Sequence, residues 1–273
     1  MTRGLALLSV LALGALLAAC GDDDEQEASK AVVAAFEFSG DGDRAKLSGP
    51  KSVEAGAVRV NFKNSGKDDA GVVLVRIEGD HTPAEAVKAG QAWGDGGKPL
   101  PGWIRFVGGS SSVRPGGTFS AVQALTAGNY IGLDINTNKY VAFEATGDGG
   151  AELPSTTATI QAVDYSFEAS GLEAGKGQVR FSNRGKEPHF ALAAPIRPGK
   201  TIEDVRKAIR TEEGPPPIVE DQAVSTGILD GGRSQVVDLE LKKGRYAFVC
   251  FVPDRRGGPP HVLKGMISEG VVR

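Results

Sequence analysis

The sequence predicts an all-β protein made of two tandem Greek-key β-sandwiches, each with one short inserted helix, and three observations carry that prediction. Apolar residues alternate with polar ones over short runs, as in strands with one face buried. The 38 glycines and 15 prolines of the 273 residues break those runs with turns. The runs also recur. Val53-Glu54-Ala55-Gly56, followed by Val60-Asn61-Phe62-Lys63-Asn64-Ser65-Gly66, returns as Leu172-Glu173-Ala174-Gly175, followed by Val179-Arg180-Phe181-Ser182-Asn183-Arg184-Gly185, which marks an internal duplication.

Taken in order, residues 1–19 read as an export signal. Arg3 supplies a charged start, and the stretch from Leu5 to Leu17 is an apolar run too short to span a bilayer comfortably. The run ends Leu17-Ala18-Ala19-Cys20, which resembles the lipobox of bacterial lipoproteins. That resemblance implies that Cys20 becomes the lipidated first residue, anchoring an extracytoplasmic protein to the bacterial cell membrane. The alternative is an ordinary signal cut after a small-x-small triplet. Residues 20–30 form an acidic linker, with Asp22, Asp23, Asp24, Glu25 and Glu27 and nothing to bury.

The first sandwich is expected over residues 31–146, on the alternating sets Phe36/Phe38, Val58/Val60/Phe62 and Val73/Val75/Ile77. A linker at 147–155 leads to the second, over residues 156–273, on Val163/Tyr165/Phe167, Val179/Phe181, Val237/Leu239/Leu241 and Tyr246/Phe248/Cys250/Val252. Each copy inserts a helix at the same place. Thr82-Pro83-Ala84-Glu85 has a capping threonine, proline at the first helical position and an acid at the third, and Thr201-Ile202-Glu203-Asp204 is a weaker version. Ala127-Gly128-Asn129-Tyr130 answers Lys243-Gly244-Arg245-Tyr246, a turn glycine leading into a strand. With a net charge of −3 and no basic cluster, the chain has no electrostatic footprint for nucleic acid. Beyond Cys20 there is one cysteine, so no disulfide forms within the folded body.

Sulfur is scarce, and its placement is informative. Beyond Cys20 the only cysteine is Cys250 and the only methionine is Met266, with His261 between them in the spacing Cys-x10-His-x4-Met and His189 upstream. The stretch Tyr246-Ala247-Phe248-Val249-Cys250, followed by Pro259-Pro260-His261 and Gly265-Met266, resembles the cupredoxins, the plastocyanin and azurin family of blue copper proteins. Asn183-Arg184-Gly185-Lys186-Glu187-Pro188-His189 is similar to that family's turn into a Pro-His pair. The resemblance implies cupredoxin-like sandwiches and one type 1 copper ion held by His189, Cys250, His261 and Met266. Thiolate suits Cu(I), imidazole suits both oxidation states, and a long thioether contact leaves a trigonal geometry that changes little when an electron moves.

Two features depart from the family: the first gap is longer than in plastocyanin or azurin, and Phe190 stands where plastocyanins place an asparagine that braces the loop. The first copy serves as an internal control, because Ala70 falls opposite His189 and Asp134 opposite Cys250. A cupredoxin-like copy lacking metal ligands is expected there. Each residue alone has a plainer reading: Cys250 as a small buried hydrophobe, Met266 as a gap filler, His189 as a hydrogen-bonded histidine, His81 as solvent-exposed. Catalytic zinc on the Cys-His-His set would leave Met266 without a role, and for a Cys-His nucleophile pair nothing resembles the glycine-bearing nucleophile motifs of such enzymes. Lys242, Lys243, Arg255 and Arg256 read as solvated loop charges. The expected function is one-electron transfer with a redox partner protein. Copper storage or delivery and a non-redox binding scaffold are the competing readings. No enzyme is expected, because one type 1 centre without a second metal site offers nowhere to turn over a substrate.

Overall fold

The computed structural model describes residues 31–150 and 152–273; the export segment, Cys20 and the acidic linker lie outside the described residues. In the N-terminal half the elements are β1 (Val32–Gly40), β2 (Lys46–Ser48), β3 (Ser52–Glu54), β4 (Gly56–Gly66), β5 (Ala70–Ile77), α1 (Pro83–Gly94), β6 (Ile104–Val113), β7 (Thr118–Leu125), β8 (Gly128–Leu133) and β9 (Tyr140–Thr146). The C-terminal half contributes β10 (Ala158–Val163), β11 (Ser166–Ser170), β12 (Gly175–Asn183), β13 (Leu192–Pro195), α2 (Ile202–Thr211), β14 (Val224–Ser225), β15 (Ile228–Leu229), β16 (Ser234–Leu241), β17 (Gly244–Val249) and β18 (Ile267–Val272). The fold is all-β with two helices among the described residues, as the alternation and the caps predict.

An eight-stranded sheet runs β11-β10-β12-β16-β7-β4-β1-β2, and a six-stranded sheet (β15-β6-β5-β8-β9-β3) and a four-stranded one (β14-β13-β17-β18) complete the architecture. The orders β2-β1-β4-β7 and β11-β10-β12-β16 correspond strand for strand, down to the parallel pairs β1 with β4 and β10 with β12. They meet edge to edge where β7 pairs with β16, with Val122 opposite Val236. A second junction joins β15 to β6, placing Ile228 opposite Gly108 and Leu229 opposite Val107. One continuous apolar core spans both halves, from Phe36, Val58 and Phe62 to Phe181, Tyr246 and Phe248. Burying each such side chain is worth about 1.5–3 kcal/mol.

Both helices start on complete capping boxes. Thr82 exchanges hydrogen bonds with Glu85, with Pro83 at the first helical position, and Thr201 does the same with Asp204. Asp204 thus does the work of the longer glutamate. One stretch departs from the sequence reading. Val163, Tyr165 and Phe167 alternate as one strand would, yet β10 and β11 form a tight antiparallel hairpin with Val163 opposite Ser166, and Asp164 and Tyr165 make its turn. That turn delivers both residues to the site described below.

The junction between β15 and β6 leaves no room for a side chain at Gly227, where a Cβ would lie 2.2 Å from the carbonyl carbon of Gly108 and 2.4 Å from its oxygen. Gly227→Ala should therefore destabilise the whole chain by about 3 kcal/mol, the upper end of typical overpacking costs, read as a lower urea midpoint with one cooperative transition.

Candidate metal centre

β17 ends at Val249 and hands the chain to Cys250, which is fully buried. His189 is placed by two backbone hydrogen bonds with Leu229 of β15, at 3.0 and 2.8 Å. Its position is therefore part of the ladder that continues into β6 of the N-terminal half. His261 opens a short 3-10 turn after Pro260. Its N–H donates to Val252 O at 2.9 Å, while Val262 N–H donates to Cys250 O at 2.8 Å. These two bonds close the long segment between Cys250 and His261 at its base. The surplus length is taken up partly by a turn in which Asp254 bridges Gly257.

Three donor atoms converge. His189 Nδ1 and His261 Nδ1 lie 3.0 Å apart, and Cys250 Sγ is 3.8 Å from the first and 3.6 Å from the second. All three side chains are fully shielded from solvent. A triangle with these sides has a circumradius of about 2.0 Å, which matches first-row metal–nitrogen distances of about 2.0–2.1 Å and falls slightly short of metal–thiolate ones of about 2.3 Å. Met266 is buried in the same core as Cys250, and its N–H donates to His261 O at 3.0 Å.

The outer nitrogen of each ring is bound to a carboxylate. His189 Nε2 lies 2.7 Å from Asp164 Oδ1, and His261 Nε2 lies 3.0 Å from Asp254 Oδ1. Burial lowers both imidazoles: His261 falls to about 4, with repulsion from His189 adding to burial. Both rings are neutral at pH 7, with one N–H and one lone pair each. A carboxylate accepts, so Nε2 carries the hydrogen and each Nδ1 lone pair points at the centre. Burial tends to raise both carboxylates, and hydrogen bonding outweighs it: Lys264 and Tyr165 hold Asp254 low, and Lys186 N–H and His189 hold Asp164 low. Gly185 is needed for this approach, since a Cβ there would lie 2.1 Å from Asp164 Oδ1.

Burial pushes the Cys250 thiol up to about 12, against the opposing effect of the backbone N–H groups of Phe190 and Val252. The three converging donors therefore share a single hydrogen, that of the thiol. Concentrated lone pairs in a dry core favour a cation, which would displace that hydrogen on binding. The N-terminal half is built alike up to this point. Asn64 and Asn183 make matching bonds: Asn64 to Asp68 O and Val113 O at 2.8 and 2.7 Å, Asn183 to Glu187 O and Leu229 O at 2.7 Å each. Opposite Cys250, Asp134 accepts from Gly71 N–H at 2.8 Å and is fully buried. Gly71 follows Ala70 as Phe190 follows His189, so the same N–H faces an anionic or sulfur group in both halves. His81 is exposed and stacks on Trp103, away from the converging donors.

Asp164, Asp254, Tyr165 and Lys264 are the site residues that sequence reasoning missed. Tyr165 O–H donates to Asp254 Oδ1 at 2.8 Å, its ring lies 5.0 Å from that of His261, and the Lys264 ammonium sits over it while bonding Asp254. Isolated acids in turns carry no spacing signal; only Asp254, between Cys250 and His261, was open to suspicion. Arg255 is a correction. The sequence reading made it a solvated loop charge, whereas its guanidinium bonds Ile104 O at 2.5 Å and faces Asp230 at 3.4 Å. Its backbone N–H donates to Glu187 Oε2 at 2.6 Å, which ties the loop before His189 to the loop between Cys250 and His261, where Phe190 offers no polar side chain.

No protein-family model and no curated protein matches the chain. Solved structures that it resembles include auracyanin B (20% identity over 45% of this chain and 91% of that one, TM-score 0.28) and an auracyanin from the photosynthetic bacterium Roseiflexus castenholzii (19%, 44% and 98%, TM-score 0.28). A multicopper oxidase matches over 89% of this chain and 88% of its own, at 12% identity and a TM-score of 0.21. These likenesses are distant, and the site's description rests on its own geometry. They do correct one expectation. The sequence reading excluded an enzyme, but the matched structures include multicopper oxidases, a laccase and a copper-containing nitrite reductase, which are enzymes, so the exclusion does not stand.

The depressed His261 sets an acid limit for the metal-free chain. Between its unfolded value near 6.5 and its folded value of about 4, the unfolded chain takes up a proton that the folded one refuses. Stability is therefore highest above pH 6.5 and falls as pH drops toward 4, by on the order of 3 kcal/mol for this group. Urea unfolding of metal-free protein across pH 7 to 4 should show this slope, and His261→Gln should flatten it.

Proposed function

We propose that the chain is a membrane-anchored, extracytoplasmic copper protein that carries single electrons through one type 1 centre at His189, Cys250, His261 and Met266. The observation that carries this reading is the convergence of two Nδ1 atoms and one sulfur, all fully buried, with both rings already fixed from behind by carboxylates. Bound there, copper would supply a reversible one-electron couple, for which thiolate, imidazole and a weak thioether are suitable donors. The chain's own part is to hold the donors still. Asp164 and Asp254 set tautomer and ring angle, Phe190 and Val252 direct N–H groups at the sulfur, and the core excludes water. Held donors keep the rearrangement on electron transfer small. Copper delivery calls for a ligand exposed to an acceptor, and His189, Cys250 and His261 are all shielded, which favours electron transfer over storage or delivery.

Anchoring through Cys20, with the acidic stretch as a spacer, follows from the sequence alone and belongs to the same proposal, as does a redox partner protein at the membrane surface. The reading also takes the two halves as an internal duplication in which only the second copy kept ligands. Their matching strand orders and matching Asn64 and Asn183 turns support this.

Purified chain supplied with Cu(II) should bind one copper per molecule and show an intense visible thiolate-to-copper band that Cys250→Ser abolishes. A colourless protein without stoichiometric copper overturns the reading. Asp254→Asn should keep the fold and lower copper affinity by roughly tenfold or more, measured by competition with a chelator.

A further inference from the structure

The loop between Cys250 and His261 is held from outside its own half. Trp93, in the last turn of α1, is buried, packs on Phe106 with ring centroids 5.3 Å apart, and donates its indole N–H to Asp254 O at 2.7 Å. Just beyond the helix, Leu100 N–H donates to Arg255 O at 2.6 Å, and the Arg255 guanidinium returns to Ile104 O. Consecutive residues of the ligand loop, 254 and 255, are thus bonded by three separate groups of the N-terminal half. Asp254 is also the residue whose carboxylate accepts from His261 and Tyr165.

From this geometry we infer that Trp93 is a positioning residue for the metal centre: by fixing the Asp254 backbone it fixes the carboxylate that orients His261, making the N-terminal half a clamp on the ligand loop of the C-terminal half. The inference rests on the copper reading for the role of His261 as a ligand, and on the hydrogen bonds alone for the clamp. The physical case is one of entropy. A loop of ten residues between two ligands fluctuates unless its backbone polar groups are engaged, and a donor on a capped, core-packed helix engages one at little further ordering cost. The indole suits the task because it brings one directional N–H on a rigid body that the core already holds.

The test uses the full chain in two states. In metal-free protein, Trp93→Phe removes the donor and should speed amide exchange at Gly257, His261 and Val262 at least tenfold, with β4 and β12 unchanged. Benzothienylalanine at position 93, which keeps the bicyclic shape and lacks the N–H, should give the same result without a cavity, and it decides the matter if Trp93→Phe does not fold. Phe106→Leu loosens the same core patch and keeps the indole bond, so it should leave loop exchange near that of the unmodified chain. Copper-loaded Trp93→Phe should show a shifted thiolate-to-copper band and roughly tenfold weaker binding, with Phe106→Leu unchanged in both. Unaltered loop exchange in the isostere, or equal effects in Phe106→Leu, overturns the clamp. If no variant binds copper, the exchange data still decide the clamp, and only the copper reading falls.

Discussion

Two imidazoles and a thiol share a dry core, and the rest of the structure is arranged around what that demands. Each ring has two nitrogens that need partners, and both rings are fully shielded from solvent. The bonds from His189 to Asp164 and from His261 to Asp254 take the outer nitrogens, which leaves the inner ones converging with the sulfur. Each carboxylate then needs support of its own. Asp164 draws it from Lys186 N–H and Glu187 N–H, and Asp254 from Tyr165 and Lys264. The β10–β11 hairpin, the Asn183 turn and the long loop are brought together by this chain of requirements. Removing one carboxylate would leave a buried N–H without an acceptor, so the cost falls on folding as well as on the centre.

The three converging donors were legible because their signal is local and chemical: scarce sulfur, a strand ending in cysteine, and a proline-bounded histidine. The caps at Thr82 and Thr201 were legible for the same reason. The carboxylates were not, since Asp164 and Asp254 act across 25 and 7 residues respectively and look like any acid in a turn. Tyr165 was misplaced because it falls in phase with Val163 and Phe167, while the turn at Asp164-Tyr165 has none of the glycine or asparagine that marks hairpins. The junction of β7 with β16 was hidden as well. Nothing in the alternation of Ala121 to Gln123 or Gln235 to Val237 says which neighbour a strand edge will take.

The N-terminal half shows which parts of the arrangement occur in both halves and which occur in the second alone. Gly71 N–H meets the Asp134 carboxylate just as Phe190 N–H faces the Cys250 sulfur. A polar backbone group aimed at the end of this strand is therefore a property of the fold, and a side chain that accepts it is required with or without a metal. The histidines, their carboxylates and the lengthened loop are what the second half has in addition. The first half supplies something else, a firm surface against which that loop is bonded.

The pairing of Val122 with Val236 has a consequence beyond stability. In isolation, β7 and β16 would each end a sheet with a row of unpaired N–H and C=O groups, the usual invitation to pair with a stray chain. Joined to each other they withdraw two such rows from solvent in a single step. The chain gains from that, because the same strands that unite its halves are the ones most prone to recruit a foreign β-strand.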